Sequence, residues 1–242
     1  MAEEPTKLFS TRAERYPEPS TADTIQGGTR AALAAIPVVG GSITEILSLL
    51  VAPAVARRRD EWFKELADGL DQLEAKVEGF RIEALVENEV FVTAVLQATR
   101  GALATHDHEK RQYLRNAVLN VARGEGPAEE YQQLFINAVE EFTPAHIKVL
   151  NVLWRGIQDL MERDLWDPVI KRYNMTNYKQ AIEALVPELK GEEDLLRYVM
   201  RDLHNRGLSR VGRPEDAFPE SPGVTNLGGQ FLTFVLNADP PK

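Results

Sequence analysis

At 242 residues and 43% hydrophobic side chains, the chain is long enough for one large or two small domains and apolar enough for a packed core, which excludes global disorder. It has no cysteine, so a disulfide framework, a thiolate nucleophile and Cys-ligated zinc are excluded, and a cytoplasmic setting is expected. The formal charge of −9 disfavours a protein whose main task is coating nucleic acid. That charge is uneven. Residues 143–242 hold 13 Lys and Arg against 14 Asp and Glu, a net of −1, while the first 142 hold 15 against 23, a net of −8.

Residues 1–20 carry Pro5, Pro17 and Pro19 among mixed charges without apolar periodicity, the pattern of a flexible tail. Their start, Met1-Ala-Glu-Glu-Pro, has neither a basic region nor an apolar run of the signal-peptide kind. Ser20-Thr21 then offers an N-cap for a helix towards Ile36, interrupted by Pro37 and Gly40-Gly41. From Ser42 the apolar positions Ile43, Ile46, Leu47 and Leu50 resume, and Trp62, Leu66, Leu70, Leu73 and Val77 continue them at steps of four, four, three and four. With Asp60, Lys64, Asp68 and Asp71 between them, this predicts one long helix bent at Pro53, or two helices meeting there. Further helices are predicted over 90–104, apolar nearly all round, over 107–122, and over 128–142 after the break at Gly124-Glu-Gly-Pro127. Residues 21–142 therefore read as a helical bundle.

A new unit is expected at Thr143-Pro144, an N-cap followed by proline at the first helical position. Ile147, Leu150, Val152, Leu153 and Trp154 drive a helix towards Arg163, and shorter helices follow over 177–186 and 192–205. Gly207 suits the residue after a helix end. Leu208–Val211 and Val224-Thr225 read as short extended runs around a loop rich in Gly and Pro, and 227–236 reads as a closing helix. The fold class expected is mainly α: a helical bundle, then a winged-helix-like α+β module over 143–242 with a small two-stranded wing.

Phe142-Thr-Pro-Ala-His-Ile-Lys-Val-Leu-Asn-Val-Leu153 resembles the opening helix of winged helix-turn-helix regulators. Leu203-His-Asn-Arg-Gly-Leu208 resembles their exit from the third helix, and Val224-Thr-Asn-Leu-Gly-Gly-Gln-Phe-Leu232 their return from the wing. A helical N-terminal part with an apolar Pro-Gly segment ahead of such a module also resembles bacterial abortive-infection proteins of the alpha type. That resemblance implies a role in phage defence and no known chemistry.

If the module met DNA, Arg197, Arg201 and His204 on the outward face of the third helix, with Arg210 and Arg213 beyond it, would make the contact. Glu192-Glu-Asp194 at the start of that helix would repel phosphate, though the same acids complement the helix dipole. Glu193 and Arg197 are spaced as an i,i+4 pair. The loop sets Glu215, Asp216 and Glu220 against Arg210 and Arg213, where a DNA-reading wing would be basic, and reads as a free hairpin loop. Residues 31–56 are the most apolar stretch, but Pro37, Gly40, Gly41 and Pro53 break it and Glu45 sits inside it. Spanning needs about 20 uninterrupted apolar residues, so Ile43, Ile46, Leu47 and Leu50 are candidate membrane contacts only after a trigger, and a core helix pair is the plainer reading.

No catalytic motif stands in the sequence. Gly40-Gly41 lacks the strand and lysine of a phosphate loop, and His106-Asp-His-Glu109 puts two histidines on different helix faces rather than around a metal. No cofactor, metal or catalytic residue is assigned. The expectation is a non-enzymatic bacterial protein that contacts a protein partner or itself, in phage defence or a stress response. The alternatives are a DNA-binding transcriptional regulator and a membrane-active effector using residues 31–56.

Overall fold

The computed structural model describes residues 43–124, 126–156, 178–216 and 223–236, without the side chains of 43–50, 155 and 156. The chain divides into two compact units, residues 1–57 and 58–242. In the first, the described residues are the opening of helix α1, Ile43–Lys76, whose assignment runs unbroken through Pro53. Ile43, Ile46, Leu47 and Leu50 fall here, and their side chains lie outside the described residues. No helix among the described residues is long and apolar enough to cross a membrane.

The rest of α1 belongs to the second unit and follows its apolar period. Trp62, Leu66 and Leu73 are buried, and Asp60, Lys64, Asp68 and Asp71 are exposed. The Trp62 indole N–H donates to Thr99 Oγ1 at 2.8 Å, so its polar edge is satisfied inside the core. A two-turn 3₁₀ segment, Ile82–Glu87, leads to α2, Glu89–Ala104, which Asn88 caps by accepting the Phe91 N–H at 3.0 Å. Its buried face is made of small residues, Ala94, Ala98, Gly101 and Ala102, whereas Leu96 is exposed. The expectation of an all-round apolar central helix is thus met on one face only. A Cβ on Gly101 would stand 2.8 Å from Glu140 Cγ and 3.0 Å from Leu114 Cδ1, so small side chains let neighbouring helices approach closely.

Helix α3, His108–Ala122, starts at Asp107, whose carboxylate accepts the Lys110 N–H at 3.1 Å, and α4 covers Glu129–Glu141. Helix α5, Pro144–Asn151, starts where Thr143-Pro144 predicted and continues as a π turn, Val152–Gly156. Then come α6, Tyr178–Leu185, a 3₁₀ turn, Pro187–Leu189, and α7, Glu193–Asn205. Gly207, at φ +73°, ends α7, and the Leu208 N–H returns to the Leu203 carbonyl at 3.0 Å. The last helix among the described residues is α8, Asn226–Leu236.

One buried cluster draws on both sides of Phe142-Thr143. Phe231 of α8 meets Phe135 edge-on at 5.4 Å and Phe142 edge-on at 5.8 Å. The last carbonyls of α8 lack helical donors, and α3 supplies them: Asn120 Nδ2 donates to Phe234 O at 2.8 Å and Asn116 Nδ2 to Val235 O at 3.0 Å. The final helix is therefore packed and capped by the preceding bundle, and the compact unit of residues 58–242 runs through the junction expected at residues 142 and 143.

The two-stranded wing, and with it the α+β assignment, is overturned. No strand stands among the described residues; Ser209 and Val224 make an isolated antiparallel bridge. Two backbone bonds cross here, from the Arg210 N–H to Gly223 O at 2.9 Å and from the Thr225 N–H to Leu208 O at 3.0 Å. The Ser209 hydroxyl adds bonds to the Val211 and Gly223 carbonyls at 2.8 and 3.1 Å, and the pairing goes no further than one bridge. Nor is the first part of the loop a free wing. The Lys179 and Tyr178 amides at the start of α6 donate to Pro214 O at 2.9 Å and Asp216 O at 3.3 Å, so residues 214–216 cap that helix.

Candidate functional site

Three arrangements could carry function, and the first is the outward face of α7. Its inner stripe, Leu196, Val199, Met200 and Leu203, is buried, which turns Leu195, Tyr198 and Arg201 to solvent. Leu195 is 42% exposed and Tyr198 63%, which puts two large side chains in solvent on this face.

The five cations predicted as contacts do not form one free row. Arg197 pairs with Glu215 at 2.6 Å rather than with Glu193, which bonds Lys179 instead. Arg213 pairs with Asp216 at 3.1 Å. His204 Nδ1 lies 3.1 Å from the Ser209 carbonyl, so the ring turns back to the loop after α7. Arg201 and Arg210 have no ion-pair partner among the described residues. Arg201 stays on the α7 face, whereas Arg210 lines a cleft that no α7 residue borders. Glu215 is held below the usual carboxylate range by its own backbone amide and by Arg197, and Glu193 by its bond to Lys179. These exposed pairs hold local geometry more than they stabilise the fold.

The second arrangement is a buried histidine between α5 and α7. His146 is 3% exposed and stacks on Phe142, ring centroids 4.8 Å apart. Its Nδ1 accepts the Thr143 N–H at 3.3 Å and lies 2.9 Å from Thr143 Oγ1, a capping box with histidine in the usual place of Glu or Gln. That acceptor role assigns the proton to Nε2, which faces Asp202 Oδ2 at 3.5 Å. Burial pushes the His146 pKa down, against the pull of Asp202.

Hydroxyl, imidazole and carboxylate in that order resemble a nucleophile, base and orienting acid. Here, however, the single Nδ1 lone pair is shared between the Thr143 amide and hydroxyl, and both belong to the start of α5. The cluster is a clamp. Arg206 extends it, meeting Glu141 at 2.7 Å and Asp202 at 3.0 Å with its guanidinium 5.0 Å from the Phe142 ring centre. Nothing in its spacing announced it, because Asp202 and Arg206 reach it only through the packing of α7. Among the described residues no three His, Asp or Glu side chains gather as a metal site would require.

The third arrangement is an open cleft of about 810 Å³ between the π turn and α8. Trp154 and the buried Phe234 line it, and Arg210, Asn226 and Gln230 supply polar groups. Of two consecutive glycines in α8, only Gly229 lines it. A Cβ on Gly228 would stand 2.1 Å from the Leu208 carbonyl oxygen, so this glycine permits a close backbone crossing. Among the described residues, a Cβ on Gly229 would meet nothing nearer than Trp154 Nε1 at 3.9 Å. Gly229 leaves open the wall facing the indole. The sequence puts Trp154 on the helix running towards Arg163 and Arg210 in the wing; the bridge between residues 209 and 224 brings Arg210 beside the start of α8 instead. Set against family models, curated proteins and solved structures, the chain matches none of them.

Proposed function

We propose that this chain is a protein-binding module rather than an enzyme, and that it holds its partner on the outward face of α7. The carrying observation is the exposed pair Leu195 and Tyr198, three residues apart on one face with Arg201. Tyr and Arg are over-represented among the residues that dominate protein interfaces, because they combine large contact area with a directed polar group. The partner that fits is a protein segment with apolar side chains for Leu195 and Tyr198 and a carboxylate for Arg201. Contact with phosphate backbone fits less well, since Arg197 and Arg213 already meet carboxylates of this chain. The resemblance to abortive-infection proteins would put such a module in phage defence or a stress response.

Replacing Tyr198 with a photo-crosslinking phenylalanine analogue in the source cells tests this reading. We expect one discrete adduct that Leu195→Asp removes and Leu96→Asp, at an exposed apolar residue of α2, leaves intact. An adduct of twice the chain mass would make the partner a second copy. No adduct, or an equal loss in both variants, would overturn the reading.

A further inference from the structure

We propose that the cleft between the π turn and α8 binds a small planar aromatic anion, with Arg210 taking the acidic group and Trp154 the ring. This goes beyond the α7 contact and does not depend on it. At about 810 Å³ the cleft has the size of small-molecule sites, which run to roughly 300–1,000 Å³. Its lining joins one aromatic side chain open to the cleft, Trp154, to polar side chains that include Arg210, Asn226 and Gln230.

Charge indicates the sign of the ligand. Arg100, Arg111, Arg197, Arg206 and Arg213 each meet a carboxylate of the chain, and Arg210 meets none among the described residues. A guanidinium on a cleft wall offers a planar fork to a carboxylate or a phosphate. The side chains of Asn226 and Gln230, likewise without a partner among the described residues, add donors and acceptors at the same edge.

Gly229 lines the same cleft, and among the described residues a Cβ there would meet only the Nε1 edge of Trp154, at 3.9 Å. Glycine inside a helix costs roughly 1 kcal/mol relative to alanine, so its presence at a position with room for a Cβ keeps bulk out of the cleft beside the indole edge. An aromatic ring in the cleft would gain apolar burial beside Trp154, and its acidic substituent would meet Arg210.

Calorimetric titration of the full chain with indole-3-acetate and with AMP tests the proposal for carboxylate and phosphate ligands, and indole-3-acetamide serves as the uncharged control. We expect saturable binding of at least one anion, and which of the two binds decides the acid group. Arg210→Gln should weaken that binding about tenfold, the loss of one charge-assisted hydrogen bond, and the acetamide should bind correspondingly worse than the acetate. Gly229→Leu should abolish binding with helicity unchanged, and if that variant misfolds, Gly229→Ala should still weaken it. Arg81→Gln, at an exposed arginine outside the cleft, should bind as the parent does. Saturable binding by neither anion, unchanged affinity in Arg210→Gln, or an equal loss in Arg81→Gln would overturn the proposal.

Discussion

Helices α7 and α8 lie within 45 residues of each other, yet the fold uses them in opposite ways. Helix α7 is strongly two-sided: four buried apolar residues face inwards, and a polar face with Leu195 and Tyr198 stays in solvent. Helix α8 has no charged residue, buries Phe231, Leu232, Phe234 and Val235, and has its last carbonyls capped by α3. A helix with a charged face can only lie on a surface, where that face remains open to a partner. A helix without one must be enclosed, so it fuses with the bundle before it rather than closing a separate module.

The widest separation between the two should come from truncating their large side chains. Phe231→Ala in α8 should cost about 3–5 kcal/mol, whereas Tyr198→Ala in α7 should stay within about 0.5 kcal/mol. Urea unfolding followed by circular dichroism measures both. Similar losses in the two variants would break the contrast.

The neighbouring glycines of α8 sharpen the same contrast within one helix. With a Cβ 2.1 Å from the Leu208 carbonyl oxygen, Gly228→Ala must push two backbones apart. We expect it to destabilise by about 3 kcal/mol or more, in the range of overpacked and strained sites, and Gly229→Ala to stabilise by up to about 1 kcal/mol. A thermal melt in which Gly228→Ala matches the parent would show that the crossing relaxes freely.

A smaller effect should appear in the pH dependence of α7 docking. His146 has its folded-state pKa depressed by burial, so on acidification the unfolded chain takes up the imidazole proton first. Its contribution is therefore complete above the ordinary imidazole value and is lost as pH falls from about 7 towards 5. The urea midpoint should fall over that window, and less steeply in His146→Gln, whose amide cannot titrate. Parallel slopes would mean that another group controls it.

The smallest effect should be at the rim. Glu215→Gln removes the carboxylate facing Arg197, an exposed pair, and should change stability by no more than about 0.5 kcal/mol. A larger loss, read from the same urea midpoints, would mean that this pair helps residues 214–216 to hold α6.

Much of the helical order was legible because helices are specified locally. The stripe of Trp62, Leu66 and Leu73, the Thr143-Pro144 start and the Gly207 stop were all visible as period, cap and breaker. The candidate site was far less legible. Glu193 and Arg197 have ideal spacing for a pair, but Lys179 and Glu215, brought in by other segments, take them instead. The extended runs around residues 209 and 224 looked like a wing, because alternation says nothing about how many ladder bonds will form.

By itself, then, the sequence determined the helical class, the course of its main helices and the two-sided character of α7, since each follows from residues within a few turns of one another. Only the tertiary structure decided that α8 belongs to the bundle, that Arg197 and Arg213 are neutralised, and that Arg210 stands in a cleft with Trp154. Those outcomes depend on contacts between segments tens of residues apart. Their energies come from shape, burial and the satisfaction of particular carbonyls, and linear spacing records none of these.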